Sequence, residues 1–253
     1  GTASGRGYHP YRREPQRRPD VPHHAGDPFP RAELSMIWRQ TLMALALTSA
    51  PLSAVVSGQA VSVAGFETHG SVGLTRAEYQ ALGRALSTLL ADRLGERGAT
   101  VEVVPQPATG ARSTGRVDLG AARTAATSAG ARILVVGSLL DQYGDIQIEA
   151  RVIDATTGQP IAVVRPDPSL VHRDQLAEAI ASLANQLTAQ PGVGGRPAPA
   201  QNGISVAALV AYGKGLEAEA GGDRAAAQAG YRAAIAAAPG FSEATEALRR
   251  VGG

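Results

Sequence analysis

Three aspartates within fourteen residues, Asp141, Asp145 and Asp154, are the side chains whose type and spacing first suggest metal chemistry. A calcium loop needs acidic or amide oxygens at closely repeated spacing around a glycine and a closing glutamate, and these aspartates lack that register. Each lies where a strand turns, and there an aspartate accepts hydrogen bonds from nearby backbone N–H groups. The pattern therefore favours turns over a metal site.

The loop GARSTGRV, residues 110–117, carries the two glycines of a phosphate-binding loop. The positions that bind phosphate and Mg²⁺ in such loops are not matched, because Arg116 stands in place of the lysine and Val117 in place of the serine or threonine whose hydroxyl holds Mg²⁺. We interpret the loop as a flexible connection. The alternative left open is a ligand-sensing α/β domain that binds a small anionic molecule near residues 105–116, with Arg112 and Arg116 attracting the anion.

Other catalytic arrangements find little support in the sequence. The chain has no cysteine, which excludes thiol catalysis and thiolate metal sites, and it contains no G-x-S-x-G, H-E-x-x-H or dinucleotide fingerprint. After Ala60 the histidines are His69 and His172, each near the end of an element and without an acidic partner assigned by spacing. Ser138 lies on a predicted central strand, where close packing explains it. We expect no enzyme activity, no cofactor and no metal.

The basic charge is concentrated at the amino terminus. Residues 1–35 contain six arginines against four acidic residues, whereas the chain from Val61 onward has a net charge of about −1, so nucleic-acid binding is not indicated. Residues 1–35 have no apolar periodicity and are predicted to be disordered. We expect translation to start at Met36, which makes residues 1–35 an upstream artefact; a basic tail that binds an acidic partner is the alternative.

Residues 36–60 have the order of a signal peptide. A charged start, MIWRQ, precedes the apolar run TLMALALTSAPLSAVV and the small-residue stretch SGQA. The run is short for a membrane span and is interrupted by Pro51. We therefore predict cleavage after Ala60 and a periplasmic or secreted protein with no stable membrane span, possible outer-membrane association, and an uncleaved anchor as the alternative.

Residues 61–189 alternate between strand and helix patterns in the order β-α-β-α-β-β-β-α. Thr75 and Glu78 predict a helix start with a capping box, Asp118 predicts a second helix cap, and RILVVGSLL predicts a central strand covered on both faces. The order predicts an α/β domain with a mixed sheet of about five strands. The composition of residues 190–203 then predicts a flexible linker.

Several stretches of this region resemble the amino-terminal domain of the TolB family, whose architecture is shared by the FlgO-like and CsgG-like families. The stretches are VSVAGFE, GARILVVGSL, DIQIEARVIDATTGQPI and LAEAIASLANQL. The resemblance implies an assembly or partner-binding role without catalytic residues. The chain departs from these families because it has no lipid-accepting cysteine and no propeller repeats follow.

Residues 204–253 resemble a tetratricopeptide repeat, which predicts a small all-α helical hairpin and the start of another repeat. The matching positions are Gly215, Gly222, Ala227, Tyr231, Ala234 and Pro239. The resemblance implies that the concave, partner-binding face carries Leu209, Tyr212, Leu216 and Glu219; burial of these residues against the α/β domain is the alternative. A single repeat cannot bury both of its faces, so we expect it to dock on the first domain, a second copy or another protein.

These patterns together predict an exported, non-enzymatic scaffold for protein interaction or envelope assembly. Its partners would be proteins of the cell envelope, and a homo-oligomer is one of the expected states.

Overall fold

The computed structural model describes residues 60–70, 73–104, 116–197 and 203–253, and within them it contains one six-stranded sheet. The strands are β1 (Val61–His69), β2 (Val101–Val103), β3 (Ile133–Gln142), β4 (Asp145–Asp154), β5 (Pro160–Val164) and β6 (Leu170–His172). Their order across the sheet is β2-β1-β3-β4-β5, and β6 pairs with β4 beyond the end of β5. The first three strands are parallel and the others antiparallel, as expected for a mixed sheet.

One helix follows β1, one follows β2, and the other four come after the last strand. They are α1 (Arg76–Glu96), α2 (Leu119–Ser128), α3 (Leu176–Thr188), α4 (Val206–Ala220), α5 (Arg224–Ala237) and α6 (Ser242–Gly252). The predicted caps are confirmed, since Thr75 and Glu78 form a complete capping box and Asp118 accepts the backbone N–H of Ala121 at 3.0 Å. The helix starts are thus fixed by local side-chain hydrogen bonds.

The two faces of the sheet are covered unequally. Helices α1 and α3 cover one face and form the main core with alternate residues of β1, β3 and β4, among them Val135, Ile148 and Val152. Helix α2 covers only part of the other face, where Leu134 and Ile153 pack against its alanines. The rest of that second face, beyond the reach of α2, is open.

Close packing inside the sheet explains one glycine that the sequence placed on the central strand. A Cβ added to Gly137 would lie 2.4 Å from the ring of Phe66, so only glycine leaves room for that ring. The interpretation of Gly137-Ser138 as a close-packing pair is therefore confirmed for the glycine.

Arg97 at the end of α1 donates to Asn185 Oδ1 (2.8 Å) and to the carbonyl of Ala181 (3.3 Å), which joins α1 to α3.

Helices α4 to α6 form a helical hairpin and a third helix that share the main core with α1. Pro239 follows the end of α5, and a Cβ on Gly215 would lie 2.6 Å from the ring of Tyr231, so the small residue does admit the aromatic ring between the helices. Of the three expected dockings, the structure contains the one on the α/β part of the chain, and the described residues from Ala60 onward belong to one compact unit.

The first half of the predicted linker is attached to α1. Val193 is fully buried in the main core, and the N–H of Arg196 donates to the carbonyl of Arg97 at 2.9 Å. Residues 190–197 therefore do not behave as the predicted free tether, because a single valine and one backbone hydrogen bond fix them to the helix. The remaining linker residues 198–202 lie outside the described part of the chain.

The predicted α/β class with a C-terminal helical part is confirmed. The sheet has a sixth strand, β6, which the sequence did not indicate because LVH directly follows the turn-forming PDPS and lacks an apolar run such as TVEVV, which marks the equally short β2. None of the helices in the described ranges combines the length and apolarity that a membrane crossing requires.

Candidate partner-binding surfaces

The four residues predicted to bind a partner lie on α4, and the structure buries two of them. Leu209 is fully buried and Tyr212 is 3% exposed. The Tyr212 ring packs against the rings of Tyr231 and Phe241, with centroids 5.7 and 4.9 Å apart. Leu216 and Glu219 are partly exposed. Leu209 and Tyr212 thus belong to the internal core, and the rings that Tyr212 contacts come from the repeat itself.

Helix α4 is buried because it crosses α1 at very short range. A Cβ on Gly213 would lie 1.9 Å from the carbonyl oxygen of Ala81, so the two backbones approach each other directly. Ion pairs flank the crossing: Lys214 lies 3.3 Å from Glu78, and Arg84 lies 3.6 Å from Glu217. Helix α4 therefore contacts α1 through Gly213, Lys214 and Glu217, whereas Tyr212 of the assigned partner face packs on Tyr231 and Phe241.

Glu219 joins the helices of the repeat. Its carboxylate accepts the hydroxyl of Tyr231 and two N–H groups of Arg250, each at 2.9 Å. The hydrogen bonds from Arg250 lower the pKa of Glu219, and the same contact raises the pKa of Arg250. Glu219 is thus an acceptor already engaged by its own chain, which explains its partial burial.

The aspartates considered as metal ligands are placed at turns. Asp141 Oδ1 accepts the N–H of Gly144 at 3.1 Å, and Asp154 Oδ1 accepts the N–H of Thr157 at 2.8 Å. The second hydrogen bond also lowers the pKa of Asp154. The turn interpretation is confirmed for these two. Asp145 begins β4, and the described ranges contain no group of three or more metal-binding side chains.

The exposed apolar side chains concentrate on the side of the sheet that α2 leaves open. Leu140 and Leu170 are 42% and 44% exposed and flank Gln147 in one cross-strand row. On edge strand β5, Ile161 and Val163 are 42% and 52% exposed. Gln147 and charged side chains separate these residues, so they form small apolar groups and not one continuous patch.

Charged pairs lie between these apolar groups on the same open face. Arg151 donates to Glu67 at 2.7 Å, and Arg165 donates to Glu149 at 3.0 Å. His69 and Ser138 join them around a shallow depression of about 310 Å³. His172 lies elsewhere, on β6, with Nδ1 3.2 Å from Asp174. The depression is polar and open, and it brings together no nucleophile with a base at hydrogen-bond distance in the described contacts.

The β3–β4 turn carries the most exposed large side chain among the described residues. Tyr143 is fully exposed and has a φ of 58°, in the left-handed region, followed by Gly144 at 102°. Two successive positive φ values are typical of the tight hairpin turn in which Asn-Gly is favoured. A tyrosine in this conformation costs roughly 1–2 kcal/mol. Asp141 accepts the N–H of Gly144 in this turn, but the Tyr143 side chain itself is fully exposed and has no described hydrogen bond that would compensate for that cost.

Several predicted features lie outside the described residues. These are residues 1–35, the signal segment except Ala60, and the loop residues 105–115. Ala60 is partly exposed, and its carbonyl accepts the N–H of Arg132 at 3.2 Å directly before β1. Arg116, beside the loop, is exposed. Signal cleavage and anion binding therefore stay predictions.

No family model and no curated protein matches the chain. Among solved structures it is weakly similar to TolB from Acinetobacter baumannii, with a TM-score of 0.28 and 10% identity over 52% of this chain and 28% of that one. The chain thus spans little more than a quarter of TolB. It is also weakly similar to the LpoB C-terminal domain from Salmonella enterica and from Escherichia coli, each with a TM-score of 0.26 and 17% identity over 44% of this chain and 82% of theirs. The tetratricopeptide resemblance stays a prediction.

The open apolar surface was missed by the sequence reasoning, which sought the partner on α4. Two signals pointed to it. Tyr143 precedes a glycine at a hairpin turn where a polar residue is usual, and PIAVV carries apolar residues at every position of a strand that has only one buried face. A strand at the edge of a sheet should have alternated with polar residues if water alone met its outer face.

Proposed function

We propose that this chain is an exported, non-enzymatic protein-binding scaffold of the cell envelope, and that the β3–β4 turn carries its principal anchor, Tyr143. The signal-like segment 36–60 and the TolB resemblance support the location. The fully exposed Tyr143 in a left-handed conformation is the observation that carries the binding role.

An exposed tyrosine at a strained position is costly for the isolated protein in two ways. It leaves a large aromatic ring in water, and it replaces the asparagine that the turn favours. Backbone strain that local packing does not explain is found preferentially at functional sites. Tyrosine is also among the side chains that contribute most to binding in protein interfaces.

The surroundings of Tyr143 fit a protein partner. Leu140 and Leu170 supply apolar surface near the turn, and Asp141 and Asp145 place carboxylates on either side of it. An aromatic anchor with acidic neighbours fits an apolar pocket with a basic rim, whereas acidic neighbours disfavour an anionic membrane surface.

The test begins with a photocrosslinking amino acid at position 143 of the full chain, expressed in its own cells, and identification of the crosslinked protein. The purified partner is then titrated against the natural chain, Tyr143→Asn and Tyr143→Phe. We expect Tyr143→Asn to bind at least 10-fold more weakly. Because backbone strain is relieved, its free energy of unfolding should nevertheless rise by about 0.5–1 kcal/mol, and it should unfold at a higher temperature. Tyr143→Phe is the matched control and should keep most of the affinity.

A purely structural tyrosine predicts the opposite pairing, with stability lost and binding unchanged in Tyr143→Asn. Equal affinity of the natural chain and Tyr143→Asn for the crosslinked protein would refute the anchor role. Absence of any crosslinked protein from position 143, with a crosslink formed from position 103 on the opposite edge, would likewise refute it.

A further inference from the structure

Strand β2 forms the edge of the sheet opposite to β5, and half of its backbone groups point away from the sheet. The carbonyl of Thr100 accepts a hydrogen bond from β1 at 2.8 Å, and the N–H of Val104 donates one to β1 at 2.9 Å. Backbone groups alternate between the two sides of a strand. Those of Val101 and Val103 therefore point outward, where no residue of the described ranges pairs with them.

This edge forms one wall of a groove of about 630 Å³. The second half of α1, including Ala91, forms the floor of the groove, and the start of α6 forms the opposite wall. Val103 is 36% exposed and Tyr212 contributes to the lining from α4. The groove therefore runs along a free sheet edge, with apolar side chains beside the outward backbone groups.

The rim of the groove is acidic. It carries Asp92, Glu96, Glu243 and Glu246. Arg93 neutralises part of this charge through ion pairs with Glu96 and Glu243. Among the described lining residues the cationic side chain is Arg250, which is engaged by Glu219. Glu246 forms an exposed ion pair with Arg249 at 3.6 Å, so Asp92 is the rim carboxylate without an ion pair among the described contacts.

The electrostatics of Asp92 agree with this excess of negative charge. Although Asp92 is exposed to the groove, the surrounding walls remove part of its hydration, and Glu243 repels it. The two effects raise its pKa from 3.8 to about 6. A cationic group in the groove would lower the free energy of the ionised carboxylate.

We propose that the β2 groove binds an extended, basic segment of another protein, which adds to the sheet as a strand beside β2. Its backbone pairs with the outward N–H and C=O groups of Val101 and Val103. Its lysines or arginines, at alternate positions, meet the carboxylates on α1 and α6. These basic side chains share the α1 face of the sheet with Val101 and Val103, and the intervening side chains point to the opposite face.

The combination of features selects a polypeptide over a small cation. Outward backbone groups on alternate residues recur at roughly 6.8 Å, the repeat of an added strand. Strand addition derives its affinity from such main-chain hydrogen bonds and its specificity from alternate side chains. The surface is separate from the Tyr143 turn, so the inference goes beyond the proposed function, and each can fail while the other holds.

The test uses a fluorescein-labelled, nine-residue peptide of alternating lysine and valine, titrated by anisotropy into the purified protein at low salt. A peptide with glutamate in place of lysine and a lysine peptide N-methylated at alternate amides are the peptide controls. We expect only the unmodified lysine peptide to bind. Its affinity should fall at least 5-fold between 0.05 and 0.3 M salt, because the rim carboxylates are exposed to screening.

Variants locate the site. Asp92→Asn with Glu246→Gln should weaken binding about 3–10-fold, since each exposed charge pair contributes modestly. Asp174→Asn with Glu178→Gln makes the same charge change outside the groove and should leave binding unchanged.

A backbone variant separates strand addition from simple attraction. The N–H of Val103 points outward, so Val103→Pro removes a donor to the peptide and none to β1. We expect Val103→Pro to weaken binding about 5-fold or more and Val103→Thr to keep it.

Three results would overturn the proposal: equal binding of the glutamate peptide, equal binding of the N-methylated peptide, or no loss with the Asp92 and Glu246 substitutions. If Val103→Pro fails to fold, hydrogen exchange decides the backbone step. The amides of Val101 and Val103 must then gain protection when the lysine peptide is added to the natural protein.

Discussion

The crossing of α4 over α1 makes a sharp prediction at Gly213. Substitution by alanine adds one methyl group, which would lie 1.9 Å from the carbonyl oxygen of Ala81, whereas real contacts of this kind are not closer than 3.0 Å. The two backbones must therefore separate by about 1 Å or more. The atom contacted is main-chain, so no side chain can rotate away to absorb the change.

Two opposing effects set the magnitude. Alanine in place of glycine within a helix stabilises by up to about 1 kcal/mol, because glycine loses more backbone entropy on folding. Overpacking against a rigid neighbour costs about 1–3 kcal/mol or more. We expect the clash to exceed the gain, with a net loss of about 1–2 kcal/mol. That loss corresponds to roughly 2–8 °C in the unfolding temperature of a domain of this size.

Urea unfolding followed by circular dichroism measures this change, and Gly95→Ala in α1 is the matched control. Gly95 also lies in a helix, but a Cβ there would meet nothing within 4 Å, so only the favourable helix term applies. We expect Gly95→Ala to stabilise by up to about 1 kcal/mol. If Gly213→Ala stabilised the protein as Gly95→Ala does, α4 would not approach α1 as described, and the burial of Tyr212 would need another explanation.

Further predictions concern three buried or crowded polar groups. The hydroxyl of Ser62 is fully buried without a hydrogen-bond partner in the described chain. Ser62→Ala should therefore raise the free energy of unfolding, measured by urea titration, by about 1 kcal/mol. A loss of stability would show that the hydroxyl does have a hydrogen-bond partner. Tyr231→Phe removes the hydroxyl that Glu219 accepts and should cost about 1–2 kcal/mol by the same measurement, and no change would show that the contact contributes nothing. Since the pKa of Asp92 is raised in the folded state, its ionised form opposes folding. Asp92→Asn should therefore stabilise the protein most above pH 6 and progressively less as the pH falls towards 4. Thermal unfolding across that pH range measures the effect, and a pH-independent effect would contradict the prediction.

The features that the sequence predicted correctly are those decided by neighbours along the chain. The Thr75 capping box, the Asp118 cap and the turns at Asp141 and Asp154 each join residues three positions apart. Such contacts depend only on local backbone geometry, so residue type and spacing suffice to predict them. The β3–β4 hairpin follows for the same reason, because its two strands pair across a two-residue turn.

The placement of the repeat could not be predicted in this way, because it depends on a contact between residues more than a hundred positions apart. The i, i+4 spacing of Leu82, Leu86 and Leu90 predicts a buried stripe on α1 but does not say which elements cover it. The side of α1 that meets α4 has Ala81 at the point of closest approach, with Glu78 and Arg84 paired to α4 beside it. Small residues give a weak hydropathy signal although they permit the closest approach of two helices.

This second face of α1 changes where a partner is to be sought. A helix covered by a sheet on one side and by the repeat on the other behaves as an internal layer, and Leu209 and Tyr212 then complete the core that a lone repeat lacks. Deleting residues 204–253 would uncover Ala81 and its neighbours as well as remove the repeat, so loss of binding in that truncation would not distinguish a lost surface from a damaged fold. Substitutions at Tyr143 and at the exposed carboxylates of the β2 groove leave the buried contacts of α1 intact, and for that reason they separate recognition from folding where the truncation does not.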